Sequence, residues 1–367
     1  MIKKVLPSAT KLFPYMSNER KTFIILTPGF PENEADSTCL PLQQSFIRSL
    51  KELYPQLEII ILSFQYPYHK IKYRWFDMTV IPFSGRNKGG LSRFLLRKKI
   101  NATLKEIHTA NKISGLLSFW CNECAWIAKH FGDTYGIKHY CWILGQDARK
   151  ENRYPQKLRP KPDELVALSD FLQDEFEKNH RIRPLHMIPP GIDTKQFQPL
   201  SGEKGIDILA SGSLIALKQY DIFLQAVDEI KKQIPLVKAV LIGDGPEKKK
   251  LQGLIAKLDL QSNVTLTGEL PHAKVLQWMQ QSKTFLHTSS YDGFGVVCIE
   301  ALHAGAHVVS FVKPMYSDIQ NWQIAGNKED MIQKTVTILN NPDTTYIRVT
   351  PFELKDSVEK MMQLFIS

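Results

Sequence analysis

Ser289-Ser290-Tyr291-Asp292-Gly293-Phe294-Gly295-Val296-Val297-Cys298-Ile299-Glu300-Ala301 follows an apolar run at 284–287 and leads into a helical pattern. A short buried strand, a glycine-containing turn and an apolar helix form the unit from which parallel α/β sheets are assembled. Gly293 and Gly295 let the backbone approach a ligand closely and take conformations closed to other residues. The helix that follows turns its free amides and the positive end of its dipole toward that ligand, which suits a phosphate. Asp292 and Glu300 are separated by seven residues, one in the loop and one inside the helix, so both can face one cleft.

The same alternation recurs on both sides of this unit. Upstream, strands are predicted at 23–26, 58–63, 79–81, 115–119, 139–143 and 165–168, with helices at 42–53, 92–108 and 171–179. Ile188-Pro189-Pro190-Gly191 stiffens the chain and then turns it, as a domain junction requires. Beyond it, strands are expected at 206–210, 239–242, 264–266, 284–287 and 307–310. Helices are expected at 221–234, 246–258, 272–281, 296–303 and 329–339. Thr350-Pro351-Phe352-Glu353 reads as a helix start, with an N-cap, a proline at the first helical position and a glutamate three residues on. Leu354, Val358, Met361 and Phe365 then share one helical face that must pack on something. The domains predicted are 1–189 and 190–347, followed by a terminal helix within 348–367.

The 367 residues are 43% hydrophobic and 23% charged, an ordinary globular balance with length enough for two cores. A net charge of +10 points to an anionic partner: a nucleotide diphosphate, a lipid headgroup or a nucleic acid. No apolar run approaches the roughly 18–20 residues that span a bilayer. Met1-Ile2-Lys3-Lys4-Val5-Leu6-Pro7 has lysines but no apolar core of the kind a secretory signal carries. Cys39, Cys121, Cys124, Cys141 and Cys298 form no disulfide framework, so a reducing cytoplasm is expected. Cys121 and Cys124 make one C-x-x-C without a second ligand pair, and read as small apolar residues at a helix start. There is no G-x-G-x-x-G, no internal repeat, and no recognition helix or stacking motif for nucleic acid.

The 292–301 segment resembles the E-x7-E signature of the retaining family-4 glycosyltransferases of the GT-B fold, usually written E-G-F-G-x-x-x-x-E-A. Asp292 replaces the first glutamate; Gly293, Phe294, Gly295, Glu300 and Ala301 are unchanged. Gly191-Ile192-Asp193-Thr194 with Phe197 and Pro199 is similar to the family's G-x-D-x-x-x-F-x-P, and Gly243-Asp244-Gly245-Pro246 to its G-x-G-P loop. Leu165–Ser169 with Phe171 and Leu172 resembles the strand and serine closing the first domain, and Val264–Leu270 the strand and loop that meet the nucleobase. The resemblance is close over about 160–310 and holds only in outline over 20–150. It implies two Rossmann-like α/β/α domains facing across a cleft, with the C-terminal helix returning to the first. It also implies that Asp292 binds sugar hydroxyls, that Gly293, Phe294, Gly295 and Val296 meet sugar and phosphate, and that Glu300 holds the ribose. A carboxylate suits that work, being a bidentate acceptor for vicinal hydroxyls. Gly212, Ser213, Gly243, Gly268 and Leu270 complete the donor set.

Two departures stand out. The family's G-R-L-x-x-x-K clamp is Gly212-Ser213-Leu214-Ile215-Ala216-Leu217-Lys218 here, so Lys218 remains as the diphosphate cation and Ser213 stands in place of the arginine. A lost charge-assisted contact costs about 1.5–3 kcal/mol. Leu144-Gly145-Gln146-Asp147 keeps the glycine and aspartate of H-G-x-D without its histidine, and Trp120 and Cys121 stand near the other histidine position. Asp147 either accepts a bond from donor or acceptor, or caps the turn after a strand. The loop from Gly29 to Thr38, with three acids, is assigned to the acceptor side.

The function the resemblance implies is transfer of a hexose from a nucleotide-diphosphate sugar to a hydroxyl of a glycan or lipid-linked acceptor, with retention, in polysaccharide or glycolipid synthesis. Asp292, Lys218 and Glu300 carry it, without cofactor, metal or nucleic acid. The alternative is a degenerate GT-B protein that binds nucleotide sugars or serves a partner enzyme as a non-catalytic subunit. Arg86, Lys88, Arg93, Arg97, Lys98, Lys99 and Lys105, interleaved with Leu91, Phe94, Leu95, Ile100 and Leu104, suit either an anionic membrane surface at the cytoplasmic face or a plain solvated helix.

Overall fold

The computed structural model describes residues 21–200 and 204–366; the Met1–Pro7 segment read above lies outside them. The first half runs β1 (Lys21–Thr27), α1 (Pro41–Leu53), β2 (Glu58–Ser63), β3 (Tyr73–Trp75), β4 (Met78–Pro82), α2 (Gly90–Ala110), β5 (Lys112–Phe119) and α3 (Glu123–Tyr135). It continues with β6 (His139–Ile143), α4 (Tyr154–Leu158), β7 (Leu165–Ala167), α5 (Asp170–His180) and β8 (His186–Met187). These eight strands form one sheet in the order β3-β4-β2-β1-β5-β6-β7-β8. The second half holds β9 (Ile206–Ser211), α6 (Tyr220–Gln233), β10 (Ala239–Ile242), α7 (Lys248–Lys257), β11 (Val264–Gly268), α8 (His272–Gln280) and β12 (Ser282–His287). After these come α9 (Val296–His303), β13 (His307–Ser310), β14 (Trp322–Ile324), α10 (Lys328–Asn340) and α11 (Leu354–Ile366). Its sheet has six strands in the order β11-β10-β9-β12-β13-β14.

Both sheets are covered on two faces, and β1 shows why its sequence is apolar without a break. Phe23 and Ile25 join the core under α1 and α11, while Ile24 and Leu26 face the core under α2 and α3. A central parallel strand has no solvated side, so alternation is lost. In the second half Ile208 and Ala210 pack under α6 and α7, and Leu209 packs on the opposite face with Phe285. The core holding Phe23 is continuous with that of Leu209, so apolar contacts join the two halves.

The structure amends the sequence reading in three places. β3 is antiparallel to β4, so the first sheet is parallel except at that edge. β3, β8 and β14 add to the strands read from sequence: with three, two and three residues they are too short to show a period. The terminal helix starts at Leu354, not after Thr350. Glu353 is paired with Ile192 in a bridge, the Leu354 amide donates to Ile192 O at 3.1 Å, and the Thr350 hydroxyl bonds His303 Nδ1 at 2.7 Å. Pairing with the domain junction wins over the local cap.

Past that start, α11 packs on α1, with Leu354, Val358, Met361 and Met362 buried. Phe365 sets its ring edge-on to Phe23 at 4.8 Å and Tyr140 at 4.9 Å. At about 1.5–3 kcal/mol for each fully buried side chain, the four contribute roughly 6–12 kcal/mol as an upper bound. That is ample to hold a helix of the second half's end against the first domain. No described helix is long and apolar enough to cross a membrane.

Candidate active site

Parallel sheets bind ligands outside the carboxyl ends of their strands. Four such ends in the second half carry the loops singled out by sequence: Gly212 after β9, Gly243 after β10, Glu269 after β11 and 288–295 after β12. They wall one side of a cavity of about 590 Å³ that is closed opposite by residues 37–43 of the first domain. Gly212 is at φ 148°, and a Cβ there would meet Tyr220 Oη at 2.7 Å, so the loop can lie flat only as glycine. Gly295, at φ 78°, turns the chain into α9.

Asp292 organises this loop. Its Oδ1 accepts the Gly295 amide at 2.9 Å and, more weakly, that of Phe294 at 3.4 Å, closing the turn that leads into α9. Its Oδ2 accepts Lys218 Nζ at 2.7 Å and faces His287 Nε2 at 3.2 Å. Lys218 is itself pinned: its carbonyl accepts Thr288 Oγ1 at 2.7 Å, and Leu217 O accepts the Ser290 amide at 3.1 Å. Burial works against the Asp292 charge, yet His287 and Lys218 hold its carboxyl far below the usual carboxylate range. His287 is buried, and burial lowers its pKa despite Asp292, which favours the neutral ring with Nε2 set against the carboxylate.

Glu300 lies about one turn into α9, and its Oε1 accepts from His272 Nε2 at 2.8 Å. His272 opens α8 beneath the same cavity. Burial lowers its pKa, but the Glu300 carboxylate more than offsets this and the net shift is upward. Oε2 of Glu300 has no hydrogen-bond partner among the described residues. Lys218 and His272 are the side chains lining this cavity, among the described residues, that can carry positive charge. No arginine among the described residues lines it in the place where Ser213 stands.

A second cavity, of about 740 Å³, shares Lys218 and Asp292 with the first and extends along the N-terminal wall past Trp120, Asn122, Tyr154 and Tyr291. Asp147 lies in that wall, but its carboxylate is spent on backbone: Oδ1 accepts Leu144 N at 3.1 Å and Gly145 N at 2.8 Å, and Oδ2 accepts Cys121 N at 2.8 Å. Burial raises its pKa to about 6 against the pull of those amides. Of the two roles open to it, the geometry draws turn cap. Trp120 stands at φ 65°, a left-handed backbone that is strained for a bulky side chain. The two walls touch at Gly293 and Gly145. A Cβ on Gly293 would meet Leu144 O at 2.6 Å, Ser169 Oγ donates to Gly293 O at 2.6 Å, and Tyr291 Oη donates to Gly145 O at 3.0 Å.

The structure thus gathers Gly212, Ser213, Lys218, Gly243, Leu270, Asp292, Val296 and Glu300 around one cavity, with Gly293, Gly145 and Asp147 beside the other. Phe294 is not exposed to either: its ring is buried against Trp322 and Phe352. Gly268 ends β11 behind Leu270. Of the 29–38 loop, Ser37 and Thr38 border the Lys218–Glu300 cavity and Gly29 borders neither, while Pro28 just before it borders the other. Its Glu34 and Asp36 are occupied by the amides of Phe76 and of Thr38 and Cys39. His272, His287, Tyr154 and Tyr291 are additions to the site that sequence reasoning missed. Each is an isolated residue without a spacing signal, apart from Tyr291 beside the acid. No cluster of three or more potential metal-ligating side chains is present among the described residues.

Residues 191–340 match the family model for glycosyl transferases group 1. A phosphatidylinositol N-acetylglucosaminyltransferase subunit of Arabidopsis thaliana is 27% identical over 216 residues, covering 55% of this chain and 48% of that protein. The gpi3 subunit of the corresponding transferase of Schizosaccharomyces pombe is 31% identical over 203 residues, covering 53% and 44%. The chain therefore spans about half the length of these curated relatives. The pneumococcal O-GlcNAc transferase GtfA, solved in complex with UDP and GlcNAc, superposes with a TM-score of 0.66 at 13% identity, covering 95% of this chain and 99% of that one. The second half of the chain thus matches the group 1 glycosyltransferases, and its two facing sheets share the GT-B fold of the solved glycosyltransferases it superposes on.

Proposed function

We propose that the protein transfers a hexose from a nucleotide-diphosphate sugar to a hydroxyl acceptor, a glycan or a lipid-linked sugar, with retention of anomeric configuration, in cell-surface polysaccharide or glycolipid synthesis. The observation that carries the reading is the Lys218–Asp292 pair, set where the two cavities meet and backed by the N-terminus of α9. In this reading the nucleotide occupies the 590 Å³ cavity, with its ribose on the free oxygen of Glu300 and its diphosphate on the α9 amides and Lys218. The bond from the anomeric carbon to phosphate breaks, a bond to the acceptor oxygen forms on the same face, and the hydroxyl proton passes to the departing phosphate. Asp292 is too weak a base for that proton, since His287 and Lys218 hold it ionised. Its carboxylate and the 293–295 backbone orient the sugar. Lys218 neutralises the leaving group, a charge that preorganised donors stabilise strongly, and neither a cofactor nor a metal is invoked. Two relatives are named N-acetylglucosaminyltransferase subunits and a structural neighbour holds UDP and GlcNAc, which puts UDP-N-acetylglucosamine first among donors to try.

Calorimetry with UDP-, GDP- and ADP-sugars, repeated on Glu300→Ala, tests the site; undiminished binding by the variant would reject it. Product anomers read by NMR test retention. A second reading is favoured by Ser213 and by Leu144 in the histidine's place: a subunit that binds the nucleotide sugar without turning it over. Donor binding with no hydrolysis or transfer across a panel of acceptors would select it.

A further inference from the structure

We infer that the rim formed by the β2–β3 loop and the first turns of α2 rests on an anionic lipid surface. Charge is the first observation. Residues 66–105 hold ten lysines and arginines against a single acid, Asp77, a net +9 within a chain whose total is +10. Apolar exposure is the second. Twelve large apolar side chains are exposed among the described residues, and Tyr68, Ile71, Leu91, Phe94 and Leu95 are five of them.

A surface helix ordinarily carries one apolar stripe and turns it inward. Leu96, Ile100, Leu104 and Ile107 are that stripe in α2, and all are buried. Leu91, Phe94 and Leu95 form a second stripe at the same helical spacing on a different face, and they are 72%, 51% and 55% exposed. Lys98, next on this stripe, holds its ammonium 4.8 Å over the Phe94 ring. Arg86 lies over the Tyr68 ring at 5.2 Å and donates to Tyr68 O at 3.0 Å, joining the loop to the helix as one patch. Arg93 and Arg97 turn inward to Glu123, and Arg74 stays with Asp77. Lys70, Lys72, Lys88, Lys98 and Lys99 have no carboxylate within ion-pair distance among the described residues. A solvated charge face needs no exposed phenylalanine or leucine, and a protein interface of this composition would need acids on the partner at every lysine. Apolar side chains flanked by unpaired lysines match the boundary between acyl chains and anionic headgroups.

The patch stands beside the 740 Å³ cavity. Gln65 N donates to Pro28 O at 2.8 Å and Gln65 Oε1 accepts Asn87 N at 2.8 Å, tying the rim to the residue that borders that cavity. An acceptor whose lipid lies in the bilayer would reach the cavity directly. That last step rests on the proposed transferase function; the docking does not.

The test is sedimentation of the full chain with phosphatidylcholine vesicles, with and without phosphatidylglycerol, at two salt concentrations. Binding about tenfold or more tighter to the anionic vesicles, weakened by salt, is expected. Replacing Leu91, Phe94 and Leu95 together by serine leaves the charge unchanged and should cut that binding at least about tenfold, since each buried apolar group adds to interfacial affinity. Unchanged nucleotide binding and melting temperature show that the variant is folded. Equal affinity for neutral and anionic vesicles, undiminished binding by the triple variant, or tighter retention on a single-stranded RNA than on vesicles would overturn the inference. Failure of transfer alone, with vesicle binding intact, would count against the transferase reading and not against the docking.

Discussion

On the C-terminal wall of the cleft the charged side chains answer one another. Lys218 bonds Asp292 and His272 bonds Glu300, and each keeps an edge open to the cavity. On the N-terminal wall Asp147 is turned inward onto three backbone amides, and Asn152 bridges Cys121 O and Asp147 O at 2.7 Å each. What faces the cavity there is mostly aromatic and amide, Trp120, Tyr154, Tyr291 and Asn122, with Glu151 the one further acid among the described lining residues besides Asp147 and the shared Asp292. One wall is built to meet charge and the other to hold its own loops in place and offer flat, weakly polar surface. Substitutions on the first should therefore change turnover and ligand affinity, and those on the second should register first as stability.

The largest effect belongs to Lys218→Ala. Losing one preorganised contact to a developing charge lowers kcat by about 10²–10³-fold. Asp292 keeps His287 and the Gly295 amide, so the fold should survive. Transfer rates set beside the melting temperature decide it: a variant that melts early but turns over normally once cooled would reverse the contrast between the walls.

Asp147→Asn comes next and is read in stability. Its folded pKa of about 6 lies above the ordinary carboxylate value, so the folded state binds more protons over that interval. This group's contribution is full below the unfolded pKa and is lost as pH rises through about 6. Wild type should therefore lose stability relative to Asp147→Asn between about pH 4 and 6, by about 3 kcal/mol at most. Urea unfolding at both ends of the window checks this, and parallel curves would refute it.

Gly293→Ala probes the seam between the walls. Its Cβ would press on Leu144 O and the Gly145 Cα, at 2.6 and 2.9 Å. Overpacking of this kind costs about 1–3 kcal/mol. Both a lower melting temperature and a raised KM are expected, because the seam also lines the 740 Å³ cavity.

The contrast explains what could be read from sequence. The C-terminal wall comes from loops that each follow one strand and keep their chemistry contiguous, so 289–301 and 212–218 announced both the fold and the residues that gather at the cavity. Parallel strands such as β1 were legible because they are buried on both faces. The N-terminal wall draws on Trp120, Tyr154 and, from the other domain, Tyr291, which no local spacing connects. Asp147 could not be resolved because a cap and a ligand-binding carboxylate look alike until the amides around them are placed. His287 and His272 escaped notice for a related reason. Each is a lone histidine whose meaning comes from an acid 5 and 28 residues away.

His272→Ala carries the smallest expected effect and sharpens the comparison most finely, because it touches the charged wall without removing either acid. Glu300 would lose the donor on Oε1 and be free to rotate, so nucleotide affinity should fall by about tenfold or less, the worth of one charge-assisted hydrogen bond of about 1.5 kcal/mol. The sign of the pH dependence follows from the raised pKa of His272. A base whose folded pKa lies above its unfolded one stabilises fully below the unfolded value, and that stabilisation fades as pH climbs through the folded value. Both the stability deficit and the affinity deficit of the variant should consequently be greater near pH 6 than near pH 8. His272→Gln, which can still donate to Glu300 but does not titrate, should recover much of the affinity and none of the pH dependence. A deficit that is flat with pH in His272→Ala, or one that glutamine leaves untouched, would mean that the ring packs against Glu300 without orienting it.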